Sequence, residues 1–243
     1  MDEKTRSRIS PISVPKPADV LASTLRRMIV DGAFSPGDFL PNERTLVSQS
    51  GLSRASVRDA LRMLETEGLI TTKVGRSGGS IVTRPERDAV ARSVELFVRT
   101  HGVRLDSLLE CRVAIEPTLA RLAARNRTQT QLEEMTALHE TFVESVTDVR
   151  LYKAINLDWH LAVARASGNE PLTALMEAIA MPVRDAMDYQ HVTTPELRLV
   201  AVKAHSAILE AIRTQNGEQA ERRMARHVIG YREIATGEMK NTL

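Results

Sequence analysis

The sequence of 243 residues is poor in cysteine and in aromatic residues. It contains one cysteine, Cys111, and only 3% Phe, Trp and Tyr. A single cysteine excludes an intramolecular disulfide framework and is typical of a reducing compartment. The sequence also lacks the run of ~20 apolar residues that a membrane-spanning helix needs, and its polar first residues lack the apolar core of a signal peptide. We therefore expect a cytoplasmic protein with no membrane partner.

Charge is distributed unevenly along the chain, although the net charge is only +2. Residues 1–85 contain 13 Lys and Arg against 9 Asp and Glu, which is a net charge of +4. The remaining residues contain 20 basic against 22 acidic side chains, which is a net charge of −2. This asymmetry is weak evidence by itself, but it is expected when only one domain of a protein binds nucleic acid.

The first 85 residues predict a flexible arm followed by a winged helix-turn-helix. Residues 1–17 are polar and carry three prolines, which favours an arm without regular structure. Residues 18–85 contain three short amphipathic stretches, for which Asn42 and Ser53 are natural N-caps. Two β-like segments then flank the glycine-rich residues 75–79 and predict a two-stranded hairpin. Three helices and a hairpin in this order form a winged DNA-binding domain.

The third of these helices has the composition of a recognition helix, with apolar residues on one side and arginines on the other. Its predicted inner face consists of Val57, Ala60, Leu61 and Leu64. The candidate DNA contacts are Arg54, Ser56, Arg58 and Arg62 on this helix, Arg44 on the preceding helix and Arg76 at the wing tip. The alternative is a solvated helix face on which Arg58 pairs with a neighbour such as Glu65. The position between a glycine turn and a wing favours DNA contact.

The segment GAFSPGDFLPNERTLVSQSGLSRASVRDALRMLETEGLI resembles the DNA-binding domain of GntR-type regulators. The matching elements are Gly32, Pro36-Gly37, Leu40-Pro41, Glu43-Arg44, Ser53-Arg54, Val57-Arg58, Ala60-Leu61 and Glu67-Gly68-Leu69. Asn42 stands where the family usually has serine, which exchanges one N-cap for another. The resemblance implies that operator DNA is contacted by Arg44, Arg54, Ser56, Arg58 and the wing glycine Gly75.

Residues 86–243 predict an all-helical second domain, which makes the fold class mainly α. Amphipathic stretches run approximately over 88–100, 105–126, 129–147, 149–167, 170–190, 195–215 and 217–239. Six or seven helices in this length form an antiparallel bundle that is large enough to enclose a cavity for a small molecule.

Histidine occurs only in this second part, at positions 101, 139, 160, 191, 205 and 227. His160, His205 and His227 fall on apolar faces of three separate predicted helices, and Asn156 precedes His160 by one helical turn. A buried imidazole without a partner costs ~1–3 kcal/mol. Each ring could be satisfied by a hydrogen bond in the core, or the three could converge on a divalent metal ion. The spacing leaves both interpretations open.

The second part resembles the FCD effector domain of the FadR subgroup of GntR regulators. The resemblance is carried by CRVAIEPTLARLAA, NLDWHLAVARASGN and HSAILEAIRTQNGEQAERRMARH. It implies a divalent metal, such as zinc, nickel or manganese, held by Asn156, His160, His205 and His227. The family usually has aspartate at position 156. The neutral amide predicts weaker metal binding and leaves the full charge of the ion to attract an anionic effector.

Four other residues of the second part bear on function or packing. Arg112 and Glu116 are i, i+4 neighbours, so they either form an intrahelical ion pair or present Arg112 to the carboxylate of an effector. Cys111 is expected to be a small buried residue rather than a sensor. Trp159 replaces the phenylalanine that the FCD family usually has beside the first histidine, and it is expected to pack in the core.

The leading hypothesis is a homodimeric repressor that binds a two-fold operator in double-stranded DNA and is released by a small effector, a carboxylic acid. Dimerisation is expected because one small winged domain makes too few contacts for tight specific binding. Three alternatives are a regulator with a metal-free effector pocket, a metal sensor, and a metal-dependent hydrolase with a DNA-binding head. The hydrolase is disfavoured because no general base lies beside the predicted ligands and no H-E-x-x-H motif occurs.

Overall fold

A computed structural model of the protein describes residues 14–75, 78–188 and 194–237. The chain divides into two compact units between Glu86 and Arg87. The first unit combines helices with one small sheet, and the second is helical throughout its described residues. None of the described helices is long and apolar enough to cross a membrane. The predicted fold class, mainly α with an N-terminal winged helix-turn-helix, is confirmed.

The first unit contains the predicted three helices and two strands. They are α1 (Pro17–Val30), α2 (Glu43–Ser50), α3 (Arg54–Thr66), β1 (Ile70–Lys73) and β2 (Gly79–Val82). Asn42 and Ser53 cap α2 and α3 as predicted, because their side-chain oxygens accept hydrogen bonds from the backbone N–H groups three residues on. Gly51 ends α2 with a φ of 69°, a left-handed conformation that glycine adopts at little cost.

The core of the first unit lies between the three helices and the sheet. It is built from Leu21, Ala22, Leu25, Leu40, Leu46, Val57, Ala60, Leu64, Ile70 and Val82. Helical spacing predicts that Val20, Leu21, Leu25, Met28 and Ile29 share the apolar face of α1. This prediction is partly wrong, since Val20 and Met28 are 52% and 39% exposed. Only the narrower stripe of Ala18, Leu21, Ala22 and Leu25 is buried there, because α1 packs mainly against one neighbour, α3.

The wing is an antiparallel pair of strands in which Ile70 lies opposite Val82 and Lys73 lies opposite Gly79. The link between α1 and α2 adds to this pair, since Phe39 forms a β-bridge with Ile81. A Cβ atom at Gly79 would lie 3.2 Å from the Phe39 ring, so glycine permits this close approach. The segment between α1 and α2 therefore holds the base of the wing in place. Its turn-forming residues did not predict this role.

The described residues of the second unit form seven helices and one short 3₁₀ turn. The helices are α4 (Arg87–His101), α5 (Leu105–Asn126), α6 (Gln129–Glu144), α7 (Val149–Ala166), α8 (Glu170–Asp188), α9 (Pro195–Arg213) and α10 (Gly217–Thr236). The predicted stretch 129–147 is not one helix, because α6 ends at Glu144 and a 3₁₀ turn follows over Ser145–Thr147.

Helix α5 is the central element of the second unit, because it contacts α7, α8, α9 and α10. Its central position buries side chains on several sides of the helix, including two that are charged, Arg112 and Glu116. A main core of small and large apolar residues, with Trp159 at its centre, lies between α5, α6, α7, α9 and α10. The histidine-bearing helices α7, α9 and α10 therefore all face the same interior.

Candidate functional site

Helix α3 presents its arginines to solvent from the N-terminal half of the helix. Arg54 and Arg58 are exposed, whereas Val57, Ala60 and Leu64 are fully buried on the opposite side. Ser56 is half-buried, and its hydroxyl lies 3.0 Å from that of Ser53. Leu61, predicted to be on the inner face, is only half-buried. This surface offers cationic groups and a helix N-terminus, both of which suit phosphates and the edges of guanines.

The side chain of Arg58 is held by a partner that the sequence did not reveal. Its Nε donates a hydrogen bond to Glu43 of α2 over 2.9 Å. Glu65, the partner considered from the sequence, instead accepts a hydrogen bond from the backbone of Thr72 in the wing. The pairing with Glu43 joins the first turn of α2 to the N-terminal half of α3 and limits the directions in which the Arg58 guanidinium can point.

The remaining candidate DNA contacts flank this helix. Arg44 is exposed in the first turn of α2. Gly75, in the wing, has a φ of 134°, which residues with a side chain rarely adopt. Arg76 lies outside the described residues. An open cleft of about 510 Å³ separates α3 from the wing, and Arg58 and Arg62 lie on its α3 side.

In the second unit, His160, His205 and His227 converge from α7, α9 and α10. Their ring centroids lie 4.7–5.3 Å apart, and one nitrogen from each ring falls within 4.8 Å of the others. The Nε2 atoms of His205 and His227 are only 3.0 Å apart. His160 and His205 are buried, and His227 is half-buried. Three imidazole nitrogens in this arrangement could bind a divalent metal ion.

Hydrogen bonds within the core do not satisfy all the buried nitrogens of the histidine cluster. Nε2 of His160 and Nδ1 of His205 have no hydrogen-bond partner among the described residues. Buried polar atoms are rarely left unpaired, because each costs ~1–3 kcal/mol. The unpaired Nε2 of His160 is free to bind a ligand such as a metal ion, so the donor set fits the metal that the FCD resemblance implies.

Glu116 connects the cluster to Arg112, and both side chains are buried. One carboxylate oxygen pairs with the Nε of Arg112, as the i, i+4 spacing predicts. The other lies 2.5 Å from Nδ1 of His160. This contact favours the tautomer with its proton on Nδ1, which leaves the lone pair of Nε2 for a metal ion. The spacing predicted the first pairing, but only the packing of α5 against α7 creates the second.

Electrostatics keep the carboxylate charged and the imidazoles neutral. Burial opposes ionisation of Glu116, but the charge of Arg112 and the contact with His160 lower the pKa of this carboxyl well below its usual range. Burial and the neighbouring imidazoles lower the pKa of His205 well below 6.5. Burial, His160 and Arg112 together lower the pKa of His227 to about 3. Neutral imidazole is the form that binds metal ions.

Asn156 lies one turn before His160 on α7 and is half-buried. It lines a small cavity together with Arg112, Tyr152, Lys153, Ala201, His227 and Tyr231. Asp158, two residues before His160 on the same helix, is exposed. Asn156 and Arg112 therefore share one cavity with a histidine of the cluster.

Aromatic side chains fix the orientation of His205. Its ring stacks on Trp159 at a centroid distance of 4.1 Å and on Phe142 at 4.7 Å. Trp159 is fully buried, which confirms that it packs in the core. Outside the cluster, His139 lies 2.8 Å from the hydroxyl of Ser206, and His191 falls outside the described residues. The expectation for Cys111 is wrong, because this residue is exposed on α5.

The metal-free protein is expected to lose stability as the pH falls from 7 to 5. An unfolded histidine binds its proton near pH 6.5, whereas folded His227 binds it only near pH 3. Between these values the unfolded state holds more protons, so the free energy of unfolding decreases as the pH falls. His227 alone contributes on the order of 2 kcal/mol between pH 7 and pH 5.

Urea unfolding of chelator-treated protein at pH 5, 6 and 7 measures this effect. His227→Gln should show a smaller loss of stability over this range, and His101→Gln, which changes an exposed histidine, serves as the matched control. An unfolding free energy that stays constant from pH 7 to pH 5 would contradict the prediction.

A winged helix-turn-helix with exposed arginines, followed by a helical domain with a buried histidine cluster, defines a DNA-binding transcription regulator with an effector domain. Comparison with protein families supports this class. Residues 17–78 match the family of bacterial regulatory proteins named gntR, and residues 107–230 match the FCD domain. The chain belongs to the gntR family and carries an FCD domain, as the sequence motifs predict.

The relatives of the chain are transcription regulators. It is 30% identical to the regulator LutR of Bacillus subtilis, over 86% of this chain and 97% of that one. It is 27% identical to the repressor NanR of Citrobacter rodentium, over 91% and 86% of the two chains. Among solved structures, Streptococcus agalactiae GntR shares the fold with a TM-score of 0.66 at 24% identity, over 89% and 99% of the chains. The chain is therefore a DNA-binding regulator and not an enzyme, and the hydrolase hypothesis is discarded.

Proposed function

We propose that this regulator is a homodimeric repressor that binds a two-fold symmetric operator and is released by a carboxylic acid bound in its second unit. In each protomer the DNA contacts would come from Arg44, Arg54, Ser56, Arg58, Gly75 and Arg76. Two half-sites roughly double the binding free energy of one winged domain, which is why a dimer is required for tight specific binding. The relatives named above include repressors, which supports this direction of regulation.

The observation that carries the effector proposal is that Arg112 and His227, one histidine of the cluster, lie on the wall of the same cavity. His160, His205 and His227 would hold a divalent ion, either zinc, nickel or manganese, with the amide oxygen of Asn156 as a further ligand. A bound ion supplies positive charge and an open coordination position for an anion. Because every one of these ligands is neutral, that charge is not cancelled before the effector binds.

Arg112 would orient the carboxylate of the effector. Its Nε is engaged by Glu116, which fixes the plane of the guanidinium within the cavity wall. A guanidinium held in this way suits bidentate recognition of a carboxylate. Glu116 also contacts His160, so a change at Arg112 is transmitted directly to the histidine cluster.

The effector can release the operator only if it binds more tightly to one conformation of the dimer than to another. Helix α5 carries Arg112 and Glu116 and contacts four other helices of the second unit. A shift of α5 on binding an acid would therefore alter the packing of the whole bundle. This shift is the conformational change that we propose for regulation.

A regulator with a metal-free pocket is the second candidate, and one observation favours it. The contact between Nε2 of His205 and Nε2 of His227 over 3.0 Å can be a hydrogen bond in which one ring donates and the other accepts. With Asn156 in place of an acidic ligand, the pocket could then bind the acid through Arg112 alone.

Operator release tests the proposal. Double-stranded DNA selected in vitro by the full-length protein should contain an inverted repeat, and fluorescence anisotropy should report its binding. Addition of mono-, di- and tricarboxylates to zinc-loaded protein should identify acids that release this DNA. Arg112→Lys keeps the charge beside Glu116 but loses the planar fork, so it should raise the acid concentration needed for release by at least about 10-fold.

Arg125→Lys, an exposed change on the same helix, is the matched control and should respond like the unchanged protein. Native mass spectrometry of untagged protein reports the oligomer and any retained metal. Release by acids from a metal-free dimer would favour the second candidate. No release by any acid, with or without metal, would contradict both.

A further inference from the structure

An apolar cleft opens between α9 and α10, next to the histidine cluster. Its volume is about 290 Å³, which is close to the lower end of the range of ~300–1,000 Å³ for small-molecule sites. On α9 the lining residues recur at helical spacing from Leu197 to Ala207, and on α10 they recur from Arg223 to Ile234. The cleft between these helices is therefore large enough for a molecule of moderate size.

Small side chains create the cleft. Ala201 and Ala204 of α9 lie along it, and α10 contributes Gly230. A Cβ atom at Gly230 would meet no other atom within 4 Å, so the space beside this glycine is open. Val200, a further lining residue, is 61% exposed. Covering such an apolar side chain with an apolar ligand is favourable, because it removes apolar surface from water.

Two arginines, Arg223 and Arg226, are among the residues that line the cleft. Arg223 donates a hydrogen bond to the backbone carbonyl of Ala207, so its charged end is engaged by the protein itself. Arg226 is exposed, and its aliphatic stem lines the cleft. Because most of the surface that lines the cleft is apolar, the cleft offers few partners to hydroxyl groups, and burying such groups without partners is unfavourable.

The cleft adjoins the cavity that contains Arg112 and Asn156. Four residues line both spaces, namely Tyr152, Ala201, His227 and Tyr231. Burial raises the pKa of Tyr231 to about 12, so its hydroxyl stays neutral and adds no negative charge to the wall that the two spaces share. His227 belongs to both sites. Its ring contacts those of His160 and His205, and the residue also lines the cleft.

We infer that the effector is an acid with an apolar body: its carboxylate lies at Arg112 and the histidine cluster, and its aliphatic or aromatic body lies between α9 and α10. This inference rests on the proposed function, since it assumes that the carboxylate binds at that cavity. It assigns the cleft as a specificity subsite that selects apolar acids over polyhydroxylated ones.

Isothermal titration calorimetry of the zinc-loaded, full-length protein with acetate, butanoate, hexanoate and octanoate tests the inference. Each methylene that enters the cleft should strengthen binding by roughly fourfold. Octanoate should then bind on the order of 100-fold more tightly than butanoate, and gluconate should bind no more tightly than acetate. Gly230→Leu and Ala204→Leu fill the cleft and should remove the dependence on chain length without weakening acetate.

Lys203→Leu is the matched control, since Lys203 is the exposed neighbour of Ala204 on α9 and the change adds no volume to the cleft. It should keep the dependence on chain length. Circular dichroism and operator binding in the absence of acid verify that both cleft variants are folded.

Each contrary outcome has a distinct meaning. Equal affinity for all four acids, or an equal loss for acetate and octanoate in both variants, would overturn the subsite while leaving the carboxylate proposal standing. Octanol binding as tightly as octanoate would overturn the link between cleft and carboxylate. A changed dimer dissociation constant in the cleft variants, with unchanged acid binding, would show that a second copy of the chain covers the cleft. Absence of binding by every acid would overturn the proposed function together with the subsite.

Discussion

Replacing Arg54 or Arg58 with alanine is expected to weaken operator binding by between about 30-fold and 10⁴-fold. One arginine contact to DNA is worth ~1–3 kcal/mol, and a homodimer would lose it twice. Both side chains are exposed on the N-terminal half of α3, which is fixed from behind by Val57, Ala60 and Leu64. Fluorescence anisotropy at one fixed salt concentration measures the effect, because affinity for DNA depends steeply on salt.

The pattern of the loss reveals what each arginine contacts. A side chain that reads a base should relax specificity at one operator position when it is removed, whereas a phosphate contact should weaken binding to all sequences alike. Arg58 is the better candidate for a base contact, since Glu43 holds its Nε and restricts the guanidinium.

Arg222→Ala removes the same charge from an exposed position in the second unit and is the matched control. It should leave operator affinity unchanged. Native-like affinity of both α3 variants, within about threefold at physiological salt, would show that α3 is not the recognition helix.

Loss of His205 is expected to abolish most metal binding. Saturating zinc, at 1,000 times its dissociation constant, stabilises a protein by about 4 kcal/mol, which for a chain of this size raises the Tm by about 10 °C. His205→Phe removes both nitrogens but keeps a ring to stack between Trp159 and Phe142. Zinc affinity should fall by at least about 100-fold, because even changes to groups behind the ligands cost 10–100-fold.

Equilibrium dialysis with zinc and thermal unfolding with and without zinc measure these two effects. His139→Phe changes a histidine that lies near His205 but outside the cluster, and it should keep full zinc stabilisation. Asn156→Asp adds a negative charge beside the ion and should strengthen zinc binding. If the unchanged protein binds no zinc, nickel or manganese, then the metal proposal is wrong and the metal-free pocket is preferred.

The first unit was predictable from the sequence almost to the ends of its elements. Asn42, Gly51 and Ser53 act locally, since a cap bonds the next turn of its own helix and a glycine adopts its own φ. The sequence did not predict contacts between residues that lie far apart along the chain. It missed the bridge of Phe39 to Ile81 and the pairing of Arg58 with Glu43, because both join residues at least 15 positions apart.

The helices of the second unit, and three of the four residues proposed as metal ligands, could likewise be identified from periodicity and motif resemblance. His160, His205 and His227 do converge, but spacing alone could not separate a cluster from three histidines each satisfied in the core. From the sequence, Arg112 could either pair with Glu116 or face a cavity. In the structure it does both.

Local chemistry in the sequence thus determined the order of helices and strands, the caps that begin the helices, and the class of protein. Tertiary structure alone decided that Glu116 contacts His160, that His205 lies between two aromatic rings, and that an apolar cleft adjoins His227. The physical reason is that caps and periodicity act within a few residues, whereas these contacts depend on how α5, α7, α9 and α10 rotate against one another. That rotation is set by the packing of the whole core.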